Sequence, residues 1–312
     1  MMLNAPADLQ WVKNGITITG GHGRGDATNQ LYFPEGLFVD DDQTITIADT
    51  SNHRIIQWKL GDKNRKVVAG GHGNGNLSFQ LNQPTDVLID KKTDSLIICD
   101  RGNRRVIRWS LYRDTNQGEI LLNSIGCYGL AMDNKAYIYI SDTDKNEVRR
   151  YKIGSKNSTL VAGGHGIGNG LNQLDYPTFV FVDNQQAVYV SDTRNHRVMK
   201  WDKDAKAGIV VAGGQEGGKD LTEVFYPEGL FVDTDDILYV VDANNDRVMR
   251  WYQEAKQDTV IVGGNGRGQQ ANQLNIPMGL SFDRHGDLYV VDWGNHRVQR
   301  FYRTDSLIST LL

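Results

Sequence analysis

The side chains in this sequence that could do chemistry are two carboxylates, a phenol and a set of histidines, and they recur at regular positions. Glu35, Thr85, Tyr128, Thr178, Glu228 and Met278 each follow the proline of a recurring Pro-x-Gly, or Cys127 where that proline is replaced. Paired carboxylates do acid/base work only at a defined separation, and Glu35 and Glu228 are too far apart in sequence to fix one. Tyr128 alone resembles a catalytic group, with no candidate base beside it. The six positions read better as a binding surface, because equivalent places carry unlike chemistry. Two acids beside an aromatic and a Met would suit a peptide with a basic residue next to an apolar one. Neutral drift at a solvent-exposed position is the competing reading.

Six of the seven histidines (His22, His53, His72, His165, His196 and His296) fall in loops or turns. Zinc requires its ligands to converge on one point, whereas equivalent positions in successive repeats spread these around a solvated rim. No metal and no cofactor are therefore expected. The loops Gly21-His22-Gly23-Arg24-Gly25, Gly71-His72-Gly73-Asn74-Gly75 and Gly264-Asn265-Gly266-Arg267-Gly268 look like phosphate cradles. A dinucleotide site needs a helix after the glycines; here Asn-Gln-Leu-x-x-Pro and a strand follow. Only Cys99 and Cys127 occur, in dissimilar contexts, which argues against a disulfide framework and a thiolate metal site. Asn157-Ser158-Thr159 and Asn76-Leu77-Ser78 fit the glycosylation acceptor pattern, which matters only in a secreted protein.

The elements that position these residues come from an internal repeat. Ala48-Asp49-Thr50-Ser51-Asn52-His53-Arg54-Ile55 returns near Asp100, Asp192, Asp242 and Asp292, with a degraded copy at Asp142. The steps between these aspartates are 51, 42, 50, 50 and 50 residues. Nine residues after each stands an aromatic: Trp58, Trp109, Tyr151, Trp201, Trp251 and Phe301. A second aspartate precedes each by nine or ten: Asp40, Asp90, Asp133, Asp183, Asp233 and Asp283.

Each copy reads as four short strands rich in β-branched and aromatic residues, as in Leu238-Tyr239-Val240-Val241-Asp242. No stretch has a helical apolar period of useful length. Six such units predict an all-β, six-bladed propeller of four-stranded antiparallel blades. The expected single domain spans 1–312, with blades near 34–71, 84–122, 127–164, 177–214, 227–264 and 277–312 plus 15–21. Gly15 to Gly21 matches a fourth strand lacking its own first three, so the N-terminal strand is expected to close the ring. Leu307 to Leu312 competes for that place. Pro-x-Gly-Leu-x-Val-Asp, then Tyr-Val-x-Asp-x-x-Asn-x-Arg-Val and an aromatic, resembles the NHL repeat over nearly the whole chain. That resemblance implies the propeller fold; similar propellers read RNA, bind proteins, act as sensor domains or serve as lyases.

Repetition marks Asp-x-x-Asn-x-Arg as framework. Its Asp would accept turn N–H groups, its Asn would take the left-handed conformation, and its Arg would bridge carboxylates. The aromatic series would pack between blades. The third copy departs most: it lacks the glycine loop, with Cys127 for Pro, Lys145 for Asn and Glu147 for Arg, which reads as tolerated decay, with a contact surface as the alternative. If strands alternate direction outward, the fourth-to-first loops and second-to-third turns share one face, whose channel mouth holds the six positions above. A partner is expected there and not on the opposite face.

Lys plus Arg total 34 against 38 Asp plus Glu, a net charge of −4, so nothing draws the whole chain to nucleic acid or anionic lipid. The mouth face carries Arg24, Arg101, Arg104, Arg194 and Arg267 against Asp26, Glu35, Asp144, Glu147, Asp220, Glu223, Glu228 and Asp246. A protein or peptide partner leads over RNA on that count, and no membrane partner is expected. Amidating lyases with this propeller hold zinc on mouth histidines; none of the six mouth positions is His, so a binding module is expected rather than an enzyme. No run reaches the roughly 20 apolar residues of a membrane span, and the first residues lack the features of a signal peptide. The chain starts and stops at a blade boundary, as a monomeric domain of a longer protein would.

Overall fold

The computed structural model describes residues 10–62, 65–112, 116–214, 216–252 and 258–305. Their strands form six four-stranded antiparallel sheets, each one blade of a ring. Blades 1 to 5 occupy 37–70, 84–123, 127–163, 177–213 and 227–263 in chain order. Blade 6 combines 277–301 with Ile16–Gly20 as its outer strand. Ile16 pairs with Arg300 and Gly20 with Arg297, so the N-terminal strand closes the ring. The competing segment, Leu307 to Leu312, lies outside the described residues. Around the axis, the innermost strand of blade 1, Leu37–Val39, touches those of blades 2 and 6.

Strand composition follows from where each strand lies. Leu238–Asp242 is buried throughout, because the middle strands of a blade are covered on both faces by neighbouring blades. Such strands read as continuous apolar runs rather than alternating ones. Trp251 of blade 5 packs with Ala187, Tyr189 and Val198 of blade 4, and Trp58, Trp109, Tyr151, Trp201 and Phe301 are buried likewise. Trp11 lies outside the repeat yet is only 2% exposed. Its indole N–H donates to the Gly286 carbonyl at 2.9 Å, and its ring meets Tyr239 edge-on.

In every blade but the third, the Asp-x-x-Asn-x-Arg segment ties the second-to-third turn to the loop entering that blade. In blade 4, buried Asp192 receives Arg197 Nε at 2.7 Å and Asn195 Nδ2 at 2.9 Å, while its other oxygen accepts the Asp175 N–H at 2.7 Å. The Arg197 guanidinium then donates to the carbonyls of Asn169, Gly170 and Gln173. Arginine thus pairs with its own blade's carboxylate and otherwise clamps loop carbonyls. The left-handed residue is not the Asn, contrary to expectation, but its successor, His196 at φ 52°. The Asn instead uses its amide to hold the Gly168 carbonyl.

That clamp explains blade 3 better than decay does. The connection from Asn123 to Cys127 is too short to offer the loop carbonyls, so an arginine there would find nothing to hold. Glu147 takes its place and pairs with Arg149 at 2.7 Å. The cysteines also correct the sequence reading. Cys99 of blade 2 and Cys127 of blade 3 form a disulfide, with Cα atoms 5.5 Å apart. Their dissimilar contexts are simply different strands of adjacent blades.

Candidate functional site

The innermost strands approach closely because glycine lines them. Gly279 N–H donates to the Glu35 carbonyl at 3.1 Å and Gly36 N–H to the Thr85 carbonyl at 2.9 Å. A Cβ on Gly279 would stand 2.6 Å from the Glu35 oxygen, closer than real packing allows. Blade 2 has Asp86 at the equivalent position and blade 4 has Phe179.

This tight ring brings the six expected residues into one layer. Thr85 Oγ1 donates to the Tyr128 carbonyl at 2.7 Å. Tyr128 and Met278 share one buried cluster with Leu37 and Phe179. The Thr178 hydroxyl, bonded to the Thr193 hydroxyl at 2.7 Å, lies near enough to the Glu228 carboxyl to favour its charged form, and Glu228 and Tyr128 both feel the charge of Glu35. The layer is not solvent-exposed as the drift reading required. Thr85 is 1%, Tyr128 4% and Glu228 7% exposed, with Thr178 and Met278 buried too. Glu35 is half-buried, and its Oε2 is enclosed without a hydrogen-bond partner, as is that of Glu228.

Burial governs the charge here. Loss of hydration pushes the Glu35 carboxyl up to about 7, with the Tyr128 hydroxyl and Arg101 pulling the other way. Glu228 rises to about 8, again by burial, against the Thr178 hydroxyl and with the Glu35 charge adding to the rise. Asp86 rises to about 7 by burial, although the Leu130 and Val87 N–H groups favour its charged form. Desolvation also holds the Tyr128 phenol well above its ordinary value. Arg101 spreads over this layer, 5.0 Å from the Tyr128 ring centre and 5.5 Å from that of Tyr176. Sequence reasoning left Asp86 out and counted Arg101 only as surface charge.

Above the layer stands a crown of residues that immediately precede the inner strands. Phe33, Gln83, Tyr176, Tyr226 and Ile276 all have left-handed backbones, with φ between 48° and 57°. Bulky and β-branched residues rarely adopt that region, and it persists only where neighbours impose it. Each is held by its N–H, donated to an acceptor in the preceding blade's turn. Phe33 donates to His296 Nδ1, Gln83 to His53 Nδ1 and Tyr226 to His196 Nδ1. Tyr176 donates to Asn146 Oδ1 and Ile276 to Asp246 Oδ1. Trp293 stacks on Phe33 with ring centres 4.1 Å apart, extending the aromatic surface.

These contacts revise the histidine reading. His53, His196 and His296 are clamps between blades rather than solvated rim residues, and burial lowers the pKa of each. His22, His72 and His165 are exposed in the glycine loops. Among the described residues, no group of three or more His, Cys, Asp or Glu side chains could hold a metal ion. The face's cations are largely answered: Arg104 pairs with Asp144, Arg194 with Asp175 and Arg267 with Asp246. At the opposite end the channel opens into a cavity of about 770 Å³. No helix among the described residues is long and apolar enough to cross a membrane.

The family model of the NHL repeat matches residues 274–301, the inner three strands of blade 6 with their entry loop. With six blades of that pattern in a closed ring, the family follows. The chain is an NHL-repeat β-propeller. No curated protein matches its sequence. Among solved structures, this NHL propeller is similar to a structural genomics protein of unknown function from Bacteroides thetaiotaomicron. Their TM-score is 0.72 at 16% identity, covering 93% of this chain and 76% of that one. An auxiliary nutrient binding protein from the same organism gives a TM-score of 0.72 at 15% identity, covering 96% and 79%. A catalytically inactive virginiamycin B lyase from Staphylococcus aureus, solved with quinupristin, gives 0.56 at 14% identity, covering 95% and 88%. At such identities the likeness is one of fold.

Proposed function

We propose that this propeller is a binding module that holds a protein or peptide segment on its crown. The observation that carries the reading is the row of large side chains held left-handed before the inner strands, Phe33, Tyr176, Tyr226 and Ile276 among them. Backbone strain of this kind is retained where function needs it, and a rigid aromatic surface with Arg at its centre has the make-up of an interface hot spot. Beneath it, Glu35, Thr85, Tyr128, Thr178, Glu228 and Met278 form the floor. The enclosed oxygens of Glu35 and Glu228 without partners favour a basic side chain entering between the rings. The neutralised arginines favour a protein partner over RNA.

Selection of a random-peptide display library on the propeller tests this. Recovered peptides should share a basic residue next to an apolar one and should lose binding to Tyr226→Ser. A selection that yields no enriched motif, or peptides that bind Tyr226→Ser as well as the parent, contradicts the reading.

A further inference from the structure

The crown does not account for the other end of the channel. There the cavity of about 770 Å³ has the size of a small-molecule site. Its wall is apolar: Phe179, Phe181, Phe231 and Phe282 face it together with leucines from every blade but the fourth. Phe231 meets Phe181 at 5.3 Å and Phe282 at 5.1 Å between ring centres, which fixes the rings in place. Toward the crown the lining stops at Asp86, Gly229 and Gly279, beneath the buried layer of Thr85, Tyr128, Thr178, Glu228 and Met278.

The charge at the open end is mainly negative. Besides Asp86, seven aspartates line the cavity against two lysines, Lys91 and Lys92, and Lys91 is already paired with Asp41. Several of these aspartates cap their own turns, as Asp133 and Asp233 do. Asp236, however, is exposed at the rim, and Asp183, which caps its own turn through the Ala187 N–H, is partly exposed there. A mainly apolar bore with an acidic rim matches a molecule that is apolar along its body and positive at one end.

We infer that the open end of the channel binds an amphiphilic organic cation, an alkyl or aryl ammonium, with its body in the bore and its charge at the aspartate rim. The orientation follows from solvation. An ammonium at the Asp86 end would lose its water beside a single carboxyl already engaged with two N–H groups, whereas at the rim it keeps its water and gains the acidic field. This site is independent of the crown and takes a small molecule rather than a macromolecule.

Calorimetric titration with butyl-, hexyl- and octylammonium, and with octanoate, tests the inference. Octylammonium should bind one to one, and affinity should rise up to about fourfold for each methylene added until the bore is full. Octanoate, of equal length and opposite charge, should bind at least about tenfold more weakly. Asp236→Asn, at an exposed position whose left-handed φ of 59° asparagine tolerates, should weaken octylammonium about two- to fivefold. Ala131→Trp should block the bore, and Ala131→Leu, if the larger residue prevents folding, should shorten the longest chain accepted. Tyr226→Ser should leave octylammonium binding unchanged even if it abolishes peptide binding. Octanoate binding as tightly as octylammonium, affinity independent of chain length, or an Ala131 variant that binds octylammonium like the parent would each overturn the inference.

Discussion

The backbone N–H of Phe33 donates to Nδ1 of His296 at 3.2 Å, although 263 residues separate them. This bond joins the last blade's turn to the entry of the first, across the point where the ring closes. It also makes the crown depend on an imidazole that keeps Nδ1 free to accept. The same dependence repeats at His53 and His196.

A protonated imidazole cannot accept at Nδ1. Burial lowers the native pKa of His53, His196 and His296, so the unfolded chain binds more protons at these sites. The stability they supply is present above about pH 6.5, the unfolded value, and is lost as pH falls through the native one. Replacing all three by Asn, which accepts at the same place in blade 3, should flatten the acid limb of melting temperature against pH. An acid limb as steep as the parent's would contradict the clamp.

Glu35, Asp86 and Glu228 act in the opposite sense. Their native values are raised to about 7, 7 and 8. Their contribution is full below the unfolded carboxyl values and is lost as pH rises through about 7 to 8. Glu35→Gln with Glu228→Gln should therefore gain more than about 1 kcal/mol near pH 9 and little near pH 4. Urea titrations at both pH values check this, and an equal effect at both would contradict it.

Trp11 anchors the closing segment. Trp11→Ala should cost about 3–5 kcal/mol, and deletion of residues 1–20 should expose the edge of the strand Arg297–Phe301 and cause aggregation. Unchanged thermal unfolding of the deletion variant would show that Ile16–Gly20 does not close the ring.

Arg197→Ala leaves buried Asp192 without its cation, with only Asn195 and the Asp175 N–H still donating to it, and takes the guanidinium from three loop carbonyls. A cost of about 3–5 kcal/mol is expected, with Arg197→Lys recovering only part, since one ammonium cannot reproduce the fork. Loss of peptide binding with stability intact would overturn its role as framework.

The disulfide closes a separation of 28 residues. Denatured, unreduced protein should show no titratable thiol, and Cys127→Ser should lower stability by about 3 kcal/mol. Two free thiols in the denatured chain would contradict the bridge.

The repeat made the architecture legible because propeller blades impose the same burial at the same offset six times. Trp58 and its five counterparts, and the turn Asp of each blade with the Arg of all but the third, announce themselves by recurrence. What recurrence cannot show is which residues meet across the axis. Asp86 looks like an unremarkable departure from glycine until the inner strands converge on it. Cys99 and Cys127 look unrelated until adjacent blades bring them together. The crown had a signal, the aromatic before proline at Phe33, Tyr176 and Tyr226, but its meaning lies in a backbone conformation that residue type does not announce. Trp11 sits outside the repeat and had no pattern to point to it.

The measurement closest to the central claim is the affinity of one selected peptide for the parent and for the Glu35→Gln, Glu228→Gln variant across a salt series at about pH 9, where both carboxyls are ionised. The account predicts weaker binding by the variant and a flatter salt dependence, because the two carboxyls supply the attraction for the basic side chain. Asp41→Asn with Asp42→Asn on the opposite face should leave both unchanged. Equal affinity and equal salt slopes for parent and mouth variant would contradict it, and preference for RNA with affinity falling steeply as salt rises would put a nucleic-acid partner in its place.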